Sequence, residues 1–213
     1  MSAALRLRGP LERATVERMR LGDTVWIDGP IVLVGGLPTH ERLRALAREN
    51  QPAPFDLRGA VVLHFGSYSH EEDGELRVDY MNPTTSTRFN DYMPELIRHW
   101  RFGVVGGKGG LDAGCAAAMR ECGCAYLSFP GGFATLYTRA IRAVQAVEWR
   151  DLIFHYRLVR LEVADLGPAT VAIDAHGGSL YESIAREAPG RMRSALEVAR
   201  ATPDEPPPRA AGR

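Results

Sequence analysis

Apolar and polar residues alternate along the chain with two different periods, and together they predict strands followed by helices. Runs rich in β-branched and aromatic residues favour strands. We predict two short strands in "TVWIDGPIVLVGG", divided at its Gly-Pro, one strand over Ala60–Phe65, and two strands around a turn in "YRLVRLEVADLGPATVAIDAHG". Apolar residues at helical spacing predict helices in "LERATVERMRLGD", capped by Thr15, in "PTHERLRALAREN", capped by Thr39, from about Asp91, and after Tyr181 to about Ala201. The polar stretch "SYSHEEDGELR" predicts a loop or a hairpin tip.

Two further segments place a glycine-rich loop between a strand and a helix. They are "FGVVGGKGGLDAGCAAAMRECG", with a helix from about Asp112, and "CAYLSFPGGFATLYTRAIRAVQAVEW", with a helix after Gly131-Gly132. This alternation predicts an α/β fold whose loops at strand ends carry the function. We expect a helical lead-in over 1–20, a main domain over 21–188, and over 189–213 a helix followed by a Pro-rich, disordered tail.

Composition and charge exclude several classes of function. The 213 residues carry a formal net charge of zero, which argues against nucleic acid or a membrane surface as a partner. No apolar run approaches the roughly 20 residues that span a bilayer, and the N-terminal stretch lacks the apolar core of a signal peptide. We therefore expect a cytoplasmic protein. Cys115, Cys122 and Cys124 do not form a disulfide pattern, and we assign no metal ligand to them or to any other residue.

Lys108 is the single lysine of the chain, beside 25 arginines among the 26 basic residues. It lies between two pairs of glycines, Gly106-Gly107 and Gly109-Gly110, just before a predicted helix. Glycines let the backbone approach a ligand closely, and a helix start favours anions. A phosphate-binding P-loop is excluded because Gly109 follows the lysine, and the dinucleotide fingerprint fails at Asp112. A tight turn with a solvated lysine is the alternative, but retention of one lysine favours a carboxylate or phosphate site.

Two other segments supply candidate side chains. "NPTTSTR" offers hydroxyl groups from Thr84 to Thr87 and then Arg88, which can bind a carboxylate through two parallel hydrogen bonds. The alternative is an ordinary hydroxyl-rich turn. His40 lies at a predicted helix start, where the helix dipole disfavours the charged ring, and it could hydrogen-bond a substrate or transfer a proton. The remaining histidines are assigned no role: His64, His70, His99, His155 and His176.

The order of motifs resembles one known family over most of the chain, from about Leu21 to Tyr181. The motifs are "HERL", "PFDLRGAVVLHFG", "PTTSTR", "GGKGG", "FPGGFATL" and "AIDAHG". They resemble the β subunit, or C-terminal domain, of iron–sulfur-dependent hydro-lyases, namely class I fumarate hydratases and L(+)-tartrate dehydratases. The resemblance implies a swivelling β/β/α-type domain with a mixed sheet and flanking helices. It also implies reversible dehydration of a 2-hydroxy dicarboxylic acid by a hetero-oligomer, with a 4Fe-4S cluster bound by a partner α subunit and not by this chain.

The same resemblance assigns roles to individual residues. The catalytic candidates are His40, Thr85 and Lys108, and the substrate-binding candidates are Thr84, Arg88, Gly109 and Arg139. The base is left open among His40, Thr84 and Thr85. Gly107 and Leu111 depart from the pattern, since several fumarases have threonine and arginine there, and Gly36-Leu37 stand where many members have Arg-Asp. These departures keep a second function open, that of a stand-alone dicarboxylate-binding domain without catalytic activity.

Overall fold

The computed structural model describes residues 4–201, which contain nine strands and six α-helices. The strands are β1 (Leu5–Arg8), β2 (Thr24–Val34), β3 (Val61–Leu63), β4 (Phe65–Glu72), β5 (Glu75–Pro83), β6 (Val104–Gly107), β7 (Ala125–Ser128), β8 (Ile141–Glu148) and β9 (Leu158–Ile173). The helices are α1 (Arg13–Val16), α2 (Leu37–Arg48), α3 (Met93–Trp100), α4 (Ala113–Cys122), α5 (Ala134–Thr138) and α6 (Leu180–Ala201).

Seven of the strands form one mixed sheet that closes on itself. Strands β2, β3, β6 and β7 are parallel neighbours, and β9 runs antiparallel to both β7 and β2, which completes a ring of five. Strand β1 extends the sheet beside β2, and β8 extends it beside β9. Every residue of β3 and β6 is buried, as expected for parallel strands covered on both faces. The predicted α/β fold with a mixed sheet and flanking helices is confirmed.

The chain divides into two compact units, Met1–Leu180 and Tyr181–Arg213. The first contains the sheet and its core, and the second contains α6, which confirms the helix predicted to about Ala201. The predicted limits 1–20, 21–188 and 189–213 stay predictions, and the end of the predicted tail, 202–213, lies outside the described residues. No helix within residues 4–201 is long and apolar enough to cross a membrane.

Two strands that we expected to be broken are continuous. Strand β2 runs through Gly29-Pro30, where Gly29 has φ of 88° and the register against β9 shifts. A bulge of this kind accommodates a left-handed glycine and a proline without ending the strand. Strand β9 is likewise continuous: it has 16 residues and includes Gly167-Pro168. The turn predicted within this segment is therefore wrong.

The helix predicted over the segment after Gly132 is also wrong beyond Thr138. Residues 141–148 form β8 instead. Ile141, Val144 and Val147 are spaced by three, which imitates a helical face in the sequence. Two register shifts along β8 turn these three side chains to the same side of the strand, where they pack on the core.

The first two helices begin elsewhere than predicted. Helix α1 has only four residues after Glu12 as N-cap, so Thr15 does not cap it, and the unpredicted β1 precedes it. Helix α2 begins after Gly36, and Thr39 lies inside its first turn, with its hydroxyl donating to the Tyr156 carbonyl. The hairpin tip, the helix from about Asp91 and the Asp112-capped helix are confirmed as the β4–β5 hairpin, α3 and α4.

Candidate functional site

The candidate residues gather at the carboxyl ends of the parallel strands. Strand β2 leads into Gly36 and α2, β3 leads into His64, β6 leads into Lys108, and β7 leads into the loop with Gly131. Because these four strands are parallel, their carboxyl ends lie at one edge of the sheet. Ligands of α/β proteins bind at this edge.

The hydroxyl-rich segment and the lysine loop are joined through their backbones. The Lys108 amide donates to the Thr84 carbonyl at 3.1 Å, and the Ser86 amide donates to the Lys108 carbonyl at 2.8 Å. These bonds form an isolated parallel bridge between Thr85 and Lys108. The Thr84 amide in turn donates to the His64 carbonyl at 2.7 Å. Two motifs that lie more than twenty residues apart in the sequence therefore form one surface.

Lys108 lies in a cradle made by both glycine loops. A Cβ added at Gly131 would lie 3.3 Å from Lys108 Cδ and 3.6 Å from Nζ, so the lysine stem runs directly over this glycine. A Cβ added at Gly109, which has φ of 79°, would lie 3.2 Å from the Thr85 methyl group. Lys108 is half-buried, and within residues 4–201 its ammonium has no ion pair or side-chain hydrogen bond. The cradle thus holds an unneutralised positive charge.

The start of α4 contributes less to anion binding than the sequence suggested. The Asp112 carboxylate caps this helix and accepts a hydrogen bond from the Cys115 amide at 2.9 Å. A carboxylate therefore already occupies the positive end of the helix dipole. The attraction for an anion at this edge therefore comes from basic side chains such as Lys108 and not from the start of α4.

Two arginines predicted to bind substrate are exposed and lie in different places. Arg88 belongs to a 3-10 helical turn, Ser86–Phe89, which continues the hydroxyl segment beside Lys108. Arg139 is the C-cap of α5, a helix that follows the Gly131-Gly132 loop. In the part of the chain that the structure describes, neither guanidinium pairs with a carboxylate. Arg88 shares a segment with Thr84 and Thr85, whereas no hydrogen bond or ion pair joins Arg139 to the other candidates.

His40 is 1% exposed and packs face to face with Phe89, with ring centroids 3.8 Å apart. Its Nδ1 lies 2.7 Å from the Gly36 carbonyl, which can only accept, so Nδ1 carries the proton and donates. Burial lowers the pKa of His40 to about 4. The ring is therefore neutral near pH 7, as expected, although burial is the main cause. Its Nε2 is buried and has no hydrogen-bond partner among residues 4–201.

His64, to which the sequence assigned no role, is the residue that our sequence reasoning missed. It is fully buried, and its ring lies 5.1 Å from that of His40. Its Nδ1 lies 2.9 Å from the Ser86 hydroxyl, which also accepts a bond of 2.8 Å from the Tyr126 phenol. Burial, and then the proximity of His40, lowers the pKa of His64 well below its usual value. The sequence placed His64 inside a strand predicted over Ala60–Phe65, whereas the observed strand β3 ends at Leu63 and His64 follows it. A polar residue inside a predicted buried strand was the available signal.

The cysteines are not gathered into a set of cluster ligands. Cys115 and Cys124 are both buried, and burial raises the pKa of each thiol. Cys122 is half-buried, and its sulfur lies 3.2 Å from a guanidinium nitrogen of Arg101. Among residues 4–201 no group of three or more His, Cys, Asp or Glu side chains could hold a metal ion.

Comparison with known proteins relates the chain to a single protein family. The family model "Fumarase C-terminus" matches residues 2–184. The chain is 30% identical over 175 residues to a protein of Methanocaldococcus jannaschii provisionally named L(+)-tartrate dehydratase subunit beta, covering 82% of this chain and 89% of that protein. It is 28% identical to L(+)-tartrate dehydratase subunit beta of Escherichia coli, covering 82% and 85%. It is 32% identical to a provisionally named class I fumarate hydratase of Geobacillus stearothermophilus, covering 84% of this chain and 34% of that longer protein.

Proposed function

Because the chain belongs to the fumarase C-terminus family, we propose that it is the β subunit of an iron–sulfur hydro-lyase. The enzyme reversibly removes water from a 2-hydroxy dicarboxylic acid, L-tartrate or malate. This chain supplies carboxylate-binding residues to a site that it shares with an α subunit. The names of its relatives, subunit beta of L(+)-tartrate dehydratase and class I fumarate hydratase, support this assignment.

The observation that carries the proposal is the ammonium of Lys108 above Gly131, which forms no ion pair with any of residues 4–201. A half-buried cation of this kind is suited to a carboxylate of the substrate. Arg88, on the segment that is hydrogen-bonded to the Lys108 loop, supplies a second cation. Two cations on adjoining segments match a substrate with two carboxylates, and the exposed Gly109 leaves the backbone next to Lys108 accessible.

These cations also have a task in the reaction. Removal of a proton from the carbon next to a carboxylate places negative charge on that carboxylate, and fixed positive groups stabilise the charge as it develops. Three groups of this chain are candidates for the base. His40 is neutral with a lone pair on Nε2, and Thr84 and Thr85 lie beside Lys108.

The 4Fe-4S cluster belongs, in this proposal, to the partner. In the part of this chain that the structure describes, no group of three or more His, Cys, Asp or Glu side chains could hold a metal ion. We therefore assign the cluster to cysteines of an α subunit, and to this chain only the binding and positioning of substrate.

Reconstitution tests the proposal. The full chain, produced anaerobically with the cysteine-bearing α subunit of the same organism, is expected to form a brown complex. This complex should convert malate to fumarate, or L-tartrate to oxaloacetate, and a complex with Lys108→Ala should do so at least about tenfold less efficiently. If the chain forms no such complex yet binds L-tartrate alone through Lys108, it is a stand-alone binding domain. If it neither forms the complex nor binds a dicarboxylate, both functions are refuted.

A further inference from the structure

A buried polar chain lies directly beneath the Lys108 loop. It runs from the Tyr126 phenol to the Ser86 hydroxyl and on to Nδ1 of His64, over 2.8 and 2.9 Å. All three side chains are fully buried. Tyr126 lies on β7, His64 follows β3, and the Ser86 amide bonds the Lys108 carbonyl after β6. Ser86 therefore connects the ends of three adjacent strands.

The fit around Ser86 leaves it little freedom. A Cβ added at Gly107 would lie within 3.0 Å of the Ser86 hydroxyl oxygen, so this oxygen fills the space that a side chain before Lys108 would take. The hydroxyl accepts from Tyr126, and its own proton can be donated to His64 Nδ1. The backbone of the same residue holds the Lys108 carbonyl at 2.8 Å. A displacement of Ser86 must therefore displace Lys108.

His64 also holds the other end of this segment. Its ring lies edge-on to Phe89, with centroids 4.7 Å apart, and Phe89 is the residue after Arg88. An apolar ring in this position would satisfy packing at a lower desolvation cost, since burial of a polar ring is unfavourable unless it is hydrogen-bonded. Within residues 4–201 the imidazole makes one such bond, between Nδ1 and the Ser86 hydroxyl, and its buried Nε2 has no partner. The bond to Ser86 is therefore the polar contact that holds the ring.

We propose that His64 is a positioning residue: through Ser86 it holds the Lys108 loop in register with the hydroxyl-rich segment and so places the ammonium for a substrate carboxylate. His64 itself does not touch the substrate. This role rests on the proposed function, in which Lys108 binds a carboxylate. Its structural part, the control of Lys108 by His64, can be measured without any substrate.

The single lysine makes this measurement direct. Labelling the full chain with 13Cε-lysine gives one side-chain NMR signal, that of Lys108. Asparagine places its amide near the position of Nδ1 of histidine, whereas glutamine places it near Nε2. We expect His64→Gln and Ser86→Ala to shift or broaden the signal of the free chain, and His64→Asn to keep it close to that of the native chain. His155→Gln, which removes a ring bonded to Tyr80, is the matched control and should leave the signal in place.

Titration with L-tartrate then separates this role from the proposed function. We expect about tenfold weaker binding in His64→Gln and Ser86→Ala, the loss that corresponds to one displaced hydrogen bond, and near-native binding in His64→Asn. An unchanged Lys108 signal in both His64→Gln and Ser86→Ala overturns the role of His64. If His64→Gln does not fold, Ser86→Ala and Tyr126→Phe decide in its place. If the native signal responds neither to L-tartrate nor to malate, in the chain or in its complex, the proposed function fails, whereas the shifts of the free variants still decide the role of His64.

Discussion

Replacement of Lys108 by alanine separates a binding role from a structural one. A charge-assisted hydrogen bond between the ammonium and a substrate carboxylate contributes about 1.5–3 kcal/mol. Its loss is therefore expected to weaken dicarboxylate binding by about 10- to 150-fold. In the complex with an α subunit the loss should appear in kcat as well as in KM, since the negative charge on the carboxylate grows as the proton is removed.

The same substitution should leave the fold almost unchanged. Lys108 is half-buried, and in the described part of the chain it makes no ion pair or side-chain hydrogen bond, so only the packing of its stem on Gly131 is lost. We expect a loss of about 0.5 kcal/mol in the free energy of unfolding. For a domain of this size that corresponds to a decrease in Tm of roughly 1–2 °C.

Calorimetric titration with L-tartrate and thermal unfolding measure the two effects on the same samples. Lys108→Met is the matched variant, because it keeps an apolar stem over Gly131 and removes only the charge. Lys108→Arg should restore binding incompletely, since a planar guanidinium and a compact ammonium occupy different space in the cradle. A fall in Tm of several degrees with unchanged L-tartrate affinity would refute the reasoning and show that the lysine is structural.

Three further predictions concern the surroundings of the cradle. Gly107→Ala should lower the free energy of unfolding by about 1–3 kcal/mol, because its Cβ would crowd the Ser86 hydroxyl. The loss should be smaller in a Ser86→Ala background, and urea unfolding of the single and double variants measures this coupling. The pKa of His40 in the folded chain is about 4, lower than its ordinary value of 6.5. Because the unfolded chain therefore binds the proton at a higher pH, stability is lost as pH falls from about 6.5 towards 4. The loss of unfolding free energy caused by protonation of His40 reaches about 3 kcal/mol. The free energy of unfolding, measured between pH 7 and 5, should therefore depend less steeply on pH in His40→Leu than in the native chain. Equal slopes for the two proteins would contradict this prediction. Burial keeps two thiols protonated, so a thiol reagent should label only Cys122 in the native chain and three cysteines after unfolding, and rapid labelling of all three without denaturant would contradict the buried positions.

The sequence predicted the elements whose signals are local. Helix α4 was predicted from about Asp112 because a glycine-rich loop precedes the segment, and the structure adds that Asp112 caps this helix. Strand β8 was mistaken for a helix because two bulges turn a spacing of three into one face of a strand. Bulges depend on the pairing partner, here β9, and pairing between distant segments is not written in the local pattern.

The candidate site, like the fold, could be predicted from the sequence only where its features are local. The glycine loop and the hydroxyl-rich segment could be recognised separately, from residue types suited to carboxylates. Their union at Thr85 and Lys108 results from the closed sheet, which brings the carboxyl ends of β3, β6 and β7 together. His64 was overlooked for this reason, since a histidine next to a buried strand has no visible partner until Ser86 is placed against it. The structure also explains why position 36 is a glycine, because a Cβ there would collide with the Tyr156 ring.

Gly107 is the departure from the fumarase pattern with the clearest physical meaning. By resemblance, several fumarases have a threonine at this position, directly before the loop lysine. Here the Ser86 oxygen occupies that space, and two partners, His64 and Tyr126, hold it. A hydroxyl therefore still lies beside the lysine loop, but it comes from the neighbouring segment and is fixed by hydrogen bonds. Introducing threonine at position 107 alone would force the two hydroxyl groups into one volume. A larger residue before the lysine would consequently require a change at Ser86 as well.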